Sequence, residues 1–190
     1  MDKREIRRKI SMMRKMLSEQ EKNQAALEVF ARLENSVAFM MSDKILMYHS
    51  LPDELPTVLF LDKWNSKKKF YLPRVNGADL DILPYDKSRL ELGSFHIEEP
   101  IGDDIVDEAE IELIIVPAVA YDRDGNRLGR GKGFYDRLLK RAKAYKIGIC
   151  YDFQIVENLP VEMHDIPVDM VISQSETIIM SLDKNKNKNI

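Results

Sequence analysis

Leu113-Ile114-Ile115-Val116 is an unbroken apolar run closed by Pro117, and a few residues later three glycines alternate with cations in Gly129-Arg130-Gly131-Lys132-Gly133. A strand whose two side-chain rows are both apolar is covered on both faces, which places it inside a mainly parallel sheet. Pro117 cannot donate to a strand ladder and ends the run. After the glycines, Phe134, Leu138, Leu139 and Ala142 recur at helical spacing, so a helix leaves the loop. Strand, glycine loop and helix in series are the building unit of an α/β domain.

The rest of the chain keeps the same alternation. Ile6, Ile10, Met13 and Leu17 share one stripe of a first helix whose other faces carry Lys3, Arg4, Arg7, Arg8, Lys9, Arg14 and Lys15. Ser18 and Glu21 have capping-box spacing and open a second helix through about Ser36, with Leu27, Phe30 and Leu33 among its apolar positions. A strand is expected at 44–48 and a helix at about 56–66, with Pro56 in its first turn, where its missing N–H costs nothing. Further extended runs fall at 69–72 and 80–83, flanking the turn signal Asn76-Gly77. The 102–110 segment is acidic and reads as surface. The tail 183–190, a Lys/Asn alternation, has too little apolar area to order itself. One domain is expected over 1–182.

The chain has 190 residues, with 29 Lys and Arg against 32 Asp and Glu. That balance excludes a bulk polycation, so any anion site must be local. A single cysteine, Cys150, allows no internal disulfide and reads as a buried strand residue in a reducing, cytoplasmic setting. No signal-peptide h-region follows the charged start, and no apolar run is long enough to span a bilayer.

The 127–133 segment has what a phosphate needs. Its glycines reach conformations closed to other residues and bring backbone N–H groups close together. Arg127, Arg130 and Lys132 supply charge with no intervening acid, and the helix start adds a partial positive charge. In open α/β sheets the region beyond the strand carboxyl ends is where ligands sit. No Ser or Thr follows Lys132, which excludes a P-loop, and Phe134 interrupts the dinucleotide fingerprint. Asp136 and Asp169 are oxygen ligands of the type Mg²⁺ takes, although an isolated Asp is more often a cap or an ion-pair partner. His49, His96, His164 and Cys150 have no zinc-ligand spacing, and no Gly-x-Ser-x-Gly elbow is present. The basic first helix fits a solvated face as well as an anion site.

These motifs are similar to those of the 5-formyltetrahydrofolate cyclo-ligase family, also called 5,10-methenyltetrahydrofolate synthetases. The resemblance rests on Ile114-Ile115-Val116-Pro117 followed by Tyr121-Asp122, Gly125, Arg127-Leu128-Gly129, Gly131 and Gly133-Phe134-Tyr135-Asp136-Arg137. Lys3-Arg4 with Arg7, Tyr48 with Glu54 and Thr57, Leu72-Pro73-Arg74-Val75, the Leu92 to Pro100 segment and Pro167 with Asp169 follow in the family's order. The resemblance implies a Rossmann-like α/β domain with a largely parallel sheet flanked by helices. It also implies ATP-dependent conversion of 5-formyltetrahydrofolate to 5,10-methenyltetrahydrofolate, with ADP and phosphate released and Mg²⁺ required, by a monomer that needs no nucleic acid or membrane.

Residue by residue, it implies nucleotide contacts at Lys3, Arg7, Arg127, Leu128, Gly129, Arg130, Gly131, Lys132, Gly133, Phe134 and Tyr135. Folate contacts fall to Glu54 and to Arg130, Gly131, Lys132, Gly133 and Phe134, metal to Asp136 and Asp169, and the chemical step to Arg130 and Lys132. Phe134 stands where the family often has Tyr, and His96 where many members have Gly. The phosphate loop alone also fits a small-molecule kinase, and the basic helix with Phe134 and Tyr135 fits an RNA-binding module.

Overall fold

The computed structural model describes residues 1–93 and 97–181. Phe95, His96 and the 183–190 tail lie outside the described residues. The first helix, α1 (Lys3–Met16), starts at Asp2, whose carboxylate accepts the Glu5 N–H at 2.7 Å while the Glu5 side chain accepts the Asp2 N–H at 2.9 Å. Its buried line is Ile6, Ile10 and Arg14, so the stripe continues through a cation and Met13 lies to one side.

The expected box at Ser18 and Glu21 opens α2 (Glu19–Glu34). Phe30 and Leu33 face the core from it, while Leu27 points to solvent. The helix stops short of Ser36 because that residue caps a separate short helix, α3 (Val37–Met41), its hydroxyl accepting the Phe39 N–H. Helix α4 (Val58–Trp64) begins after Pro56, with Thr57 at its N-cap position. The Thr57 hydroxyl donates to the Tyr48 carbonyl at 2.9 Å and accepts the Ser50 N–H at 3.1 Å, so it stitches the preceding loop.

The strands are β1 (Lys44–Leu46), β2 (Lys69–Asn76), β3 (Asp79–Pro84), β4 (Leu90–Leu92), β5 (Glu98–Pro100), β6 (Leu113–Val116), β7 (Ala120–Asp122), β8 (Arg127–Leu128), β9 (Tyr145–Ile149), β10 (Ile155–Val156), β11 (Met170–Ile172) and β12 (Thr177–Ile179). Helix α5 (Phe134–Arg141) lies between β8 and β9. The main sheet runs β12-β11-β9-β6-β1-β2-β3. Its inner pairings are parallel, and β3 and β12 close the edges antiparallel. The apolar run is the central strand, with all four residues buried.

Alternate residues of the strands feed two cores, as a period of two requires. Ile45, Leu113, Ile115, Ile147 and Ile149 pack with α2 and α4 on one face. Leu46, Ile114, Val116 and Val171 pack with Leu138 and Leu139 of α5 on the other. The segment after Pro117, read from sequence as open loop, instead forms β7 and β8, which join β10 in a small second sheet. Ile6 and Ile10 of α1 cover that sheet through Val119, Ala120 and Leu128. Among the described residues, no helix is long and apolar enough to cross a membrane.

This order locates a binding cleft. From β1 the chain moves outward to β2 and β3, then returns to lay β6 on the other side of β1. The loops after β1 and β6 therefore part at the carboxyl end of the sheet, the switch point where α/β folds bind ligands.

Candidate active site

A cavity of about 780 Å³ opens at that switch point. Its lining brings together Tyr48, His49, Leu51 and Glu54 after β1, Pro117 and Ala118 after β6, the whole Arg127 to Asp136 loop, and Lys3 and Arg7 from α1. Residues more than a hundred positions apart thus share one wall. Pro73, Val75, Leu80 and Ile97 give the opposite wall an apolar surface.

The loop geometry follows from its glycines. Gly131 and Gly133 take φ of 99° and 71°, the left-handed region that a side chain disfavours. Gly133 is also the N-cap of α5 and supplies no side-chain cap, so the first N–H groups of that helix have no partner within it. On the far side, the Arg7 Nε donates to the Gly129 carbonyl at 2.9 Å. Lys3 and Arg7 are one turn apart and both line the cavity.

The charges are not distributed as the sequence suggests. Among the described lining residues, five cations (Lys3, Arg7, Arg127, Arg130 and Lys132) meet six carboxylates (Glu54, Glu98, Glu99, Asp136, Glu162 and Asp165). Lys3 contacts Glu162 at 2.8 Å and Asp165 at 2.9 Å. Arg127, buried, is ion-paired with Asp136. Arg130 contacts Asp53 at 2.8 Å and Glu54 at 3.0 Å. Burial works against the Arg130 charge, but Glu54 and Asp53 outweigh it and hold the guanidinium more firmly protonated. Within the basic loop, Arg127 is thus paired by Asp136 of the loop itself and Arg130 by acids from a distant segment, and the described lining has no excess of positive charge.

Two polar groups in this wall are buried without a hydrogen-bond partner, the Arg127 Nε and the Tyr135 hydroxyl. A buried polar group left unpaired is costly, and both stand on the lining. Burial raises the Tyr135 hydroxyl well above its ordinary range, so it stays a neutral donor. Burial also lowers the His49 imidazole despite Glu98 at 3.3 Å, which keeps that ring neutral near pH 7.

Asp169 does not belong here. It precedes β11 at the amino end of the sheet, where its carboxylate accepts the Lys146 N–H at 2.8 Å, and it is absent from the cavity lining, which Asp136 reaches. The expected metal pair of Asp136 and Asp169 is not assembled, because the parallel strands separate the two carboxylates to opposite ends of the sheet. Among the described residues, no group of three or more His, Cys, Asp and Glu is arranged to hold a metal ion. Cys150, as read from sequence, is buried just after β9, and burial pushes its thiol well above the usual range.

Sequence reasoning missed Arg14, Asp53, Glu162 and Asp165. Arg14 carried a readable signal, since a cation four positions after Ile10 continues the buried line of α1. The acids of the 162–165 segment carried none, because only the tertiary fold brings them to Lys3.

The fold and the cleft define an α/β enzyme with a glycine-rich loop lining a cavity at the switch point of its sheet. The sequence profile of the 5-formyltetrahydrofolate cyclo-ligase family matches residues 1–174, and the chain belongs to that family. It is 32% identical over 177 residues to the 5-formyltetrahydrofolate cyclo-ligase of Escherichia coli (strain K12), covering 88% of this chain and 97% of the relative. The Mus musculus cyclo-ligase is 30% identical over 187 residues, covering 90% and 92%. The solution structure of Aquifex aeolicus 5,10-methenyltetrahydrofolate synthetase superposes with a TM-score of 0.87 at 34% identity, covering 99% and 100% of the two chains. A Mycoplasma pneumoniae 5,10-methenyltetrahydrofolate synthetase, at 23% identity and a TM-score of 0.76 over 92% and 99%, shares the fold.

Proposed function

We propose that the chain closes 5-formyltetrahydrofolate to 5,10-methenyltetrahydrofolate at this cleft, using ATP and releasing ADP and phosphate. The convergence of Lys3, Arg7, Glu54 and the 127–136 loop on one cavity carries the reading. A formamide carbonyl is a poor electrophile. Transfer of the γ-phosphoryl group to the formyl oxygen, breaking its bond to ADP, gives an iminium phosphate. The neighbouring N10 then attacks the formyl carbon, and the C–O bond breaks as phosphate leaves.

The protein's work in such a step is placement and charge stabilisation. Gly129, Gly131 and Gly133 let the backbone approach the phosphates, with Leu128, Phe134 and Tyr135 completing that wall. Lys3, Arg7 and Arg127 hold the nucleotide. Arg130 and Lys132 stabilise charge developing on the transferred phosphoryl oxygens. The apolar wall of Pro73, Val75, Leu80 and Ile97 suits a flat pterin ring, and Glu54 offers acceptors for its N–H groups. A neutral His49 on the same side avoids adding charge beside that ring.

Asp136 is the one carboxylate of the glycine loop, and it is engaged by Arg127. That donor set fits a magnesium ion carried mostly by phosphates and water, since Mg²⁺ needs only one or two protein carboxylates. Such an ion would neutralise phosphate charge, with Asp136 as its protein ligand. The test is an absorbance assay for the methenyl product with 5-formyltetrahydrofolate, ATP and Mg²⁺, each omitted in turn. Product should need all three, and product formed without ATP overturns the reading.

A further inference from the structure

Behind the cleft, one buried cation is tied to the site through Ala118 and Asp53. Arg14, 3% exposed, is the innermost charged side chain of α1. Its Nη2 donates to the Ala118 carbonyl at 2.6 Å, in the loop leaving the central strand. Its Nη1 donates to Asp53 Oδ2 at 3.2 Å. The other oxygen of that carboxylate, Oδ1, accepts from Arg130 Nη2 at 2.8 Å. Asp53 therefore bridges two guanidiniums, one sealed in the protein and one on the cleft wall.

The same pocket of structure is braced on all sides. Gln154 Nε2 donates to the Ala118 and Val119 carbonyls at 3.1 Å and 2.8 Å, and the Tyr151 hydroxyl donates to the Glu54 carbonyl at 3.1 Å. Arg14 is anchored at one end on a backbone carbonyl that Gln154 also holds, and at the other end it meets Asp53.

We propose that Arg14 is a positioning residue, acting through Asp53 to hold the Arg130 guanidinium at the place where the transferred phosphoryl group reacts. Packing alone does not explain a guanidinium here: Ile6 and Ile10 occupy the preceding positions of the same line, and an apolar side chain at 14 would extend it without a buried charge. An Arg in that place needs acceptors of fixed direction, and it has Ala118 and Asp53.

The inference rests on the cyclo-ligase reading, and the experiment separates the two. Steady-state kinetics are measured for the full chain, Arg14→Met, Asp53→Asn and the double variant, with melting temperatures recorded for each. Each single variant is expected to raise KM for ATP so that kcat/KM for ATP falls about tenfold. Joining them should add less than a twofold further loss, because both cut one relay. KM for 5-formyltetrahydrofolate should change far less, and the rise in KM for ATP is the mark of the relay, because a merely structural loss of active protein lowers kcat and moves neither KM.

Losses that multiply in the double variant overturn the relay, as does an Asp53→Asn protein within twofold of the unmodified chain. Asp53 lies at the surface end, so that variant decides the question even if Arg14→Met does not fold. An unmodified chain that makes no methenyl product overturns the cyclo-ligase reading instead.

Discussion

Arg127 and Asp136 are ion-paired across the root of the glycine loop, joining the end of β8 to the first turn of α5. The pair ties together the two ends of the segment that holds Gly129, Gly131 and Gly133. Asp136→Asn keeps the size of the side chain and removes its charge from a buried guanidinium. A hydrogen bond to a charged group contributes about 1.5 to 3 kcal/mol, so the variant should lose about that much stability. Turnover should fall at least about tenfold as the loop loosens. Urea unfolding and the methenyl absorbance assay check both, and a variant with unchanged turnover removes Asp136 from the site.

Lys132→Ala should lower turnover by at least about tenfold, because lost contacts to developing charge generally cost more than about 1.4 kcal/mol. Its melting temperature should stay close to that of the unmodified chain. A turnover within twofold would refute the role of Lys132.

Gly133 has a φ of 71°, and a β-carbon there would lie 2.8 Å from Arg137 Nη1. That nitrogen is the far end of a flexible side chain and can move aside, so the backbone decides the cost. A left-handed residue with a β-carbon costs about 1 to 2 kcal/mol, and Asn tolerates this region better than Ala. Gly133→Ala should therefore be less stable than Gly133→Asn, measured by denaturant midpoint. The reverse order would mean that the contact with Arg137 controls the position.

Gly148 lies beneath Tyr121, and a β-carbon there would sit 2.4 Å from the phenol ring. The ring has nowhere to go, since Tyr121 is fully buried and its hydroxyl donates to the Val116 carbonyl at 2.6 Å. Overpacking of this kind costs about 1 to 3 kcal/mol. At about 2 to 4 °C per kcal/mol for a chain of this size, Gly148→Ala should melt about 2 to 12 °C lower. A melting curve identical to the unmodified protein's would show that β7 shifts freely over the sheet.

Asp53 titrates below the ordinary carboxylate range. Burial acts to raise it, but Arg130 and Arg14 outweigh burial. Because its folded value is depressed, Asp53 favours the folded state fully above the ordinary range, about pH 4. That contribution disappears as pH falls through the lower folded value. The difference in melting temperature between the unmodified chain and Asp53→Asn should be constant from pH 5 to 7 and shrink below about pH 4. A difference independent of pH would show that the charge of Asp53 contributes nothing to folding.

Much of this fold could be read residue by residue. The apolar run of β6, the capping box at Ser18 and the Asn76-Gly77 turn are local signals, and each marks its element. The β7 and β8 pair was hidden because Arg123, Asp124, Gly125 and Asn126 look like open loop, whereas Asp122 ties them into a turn by accepting the Asp124 and Asn126 N–H groups. In the site, glycines and cations announced the loop. The acids at 162 and 165 were not announced, because Asp165 meets Lys3 across 162 positions of chain, a distance no spacing rule spans. Asp169 misled for the same reason, since order along the chain says nothing about which end of a strand a residue occupies.

The pairing of Lys3, Arg127 and Arg130 with carboxylates gives the cleft the character of an ion exchanger already loaded with its own anions. On the proposed reading, a triphosphate reaching the glycine loop would have to trade places with Glu162, Asp165, Asp136, Asp53 or Glu54. A ligand with a single negative charge can displace few of them and gains little. On that reading the acids would set a threshold that favours a polyanion able to replace several partners.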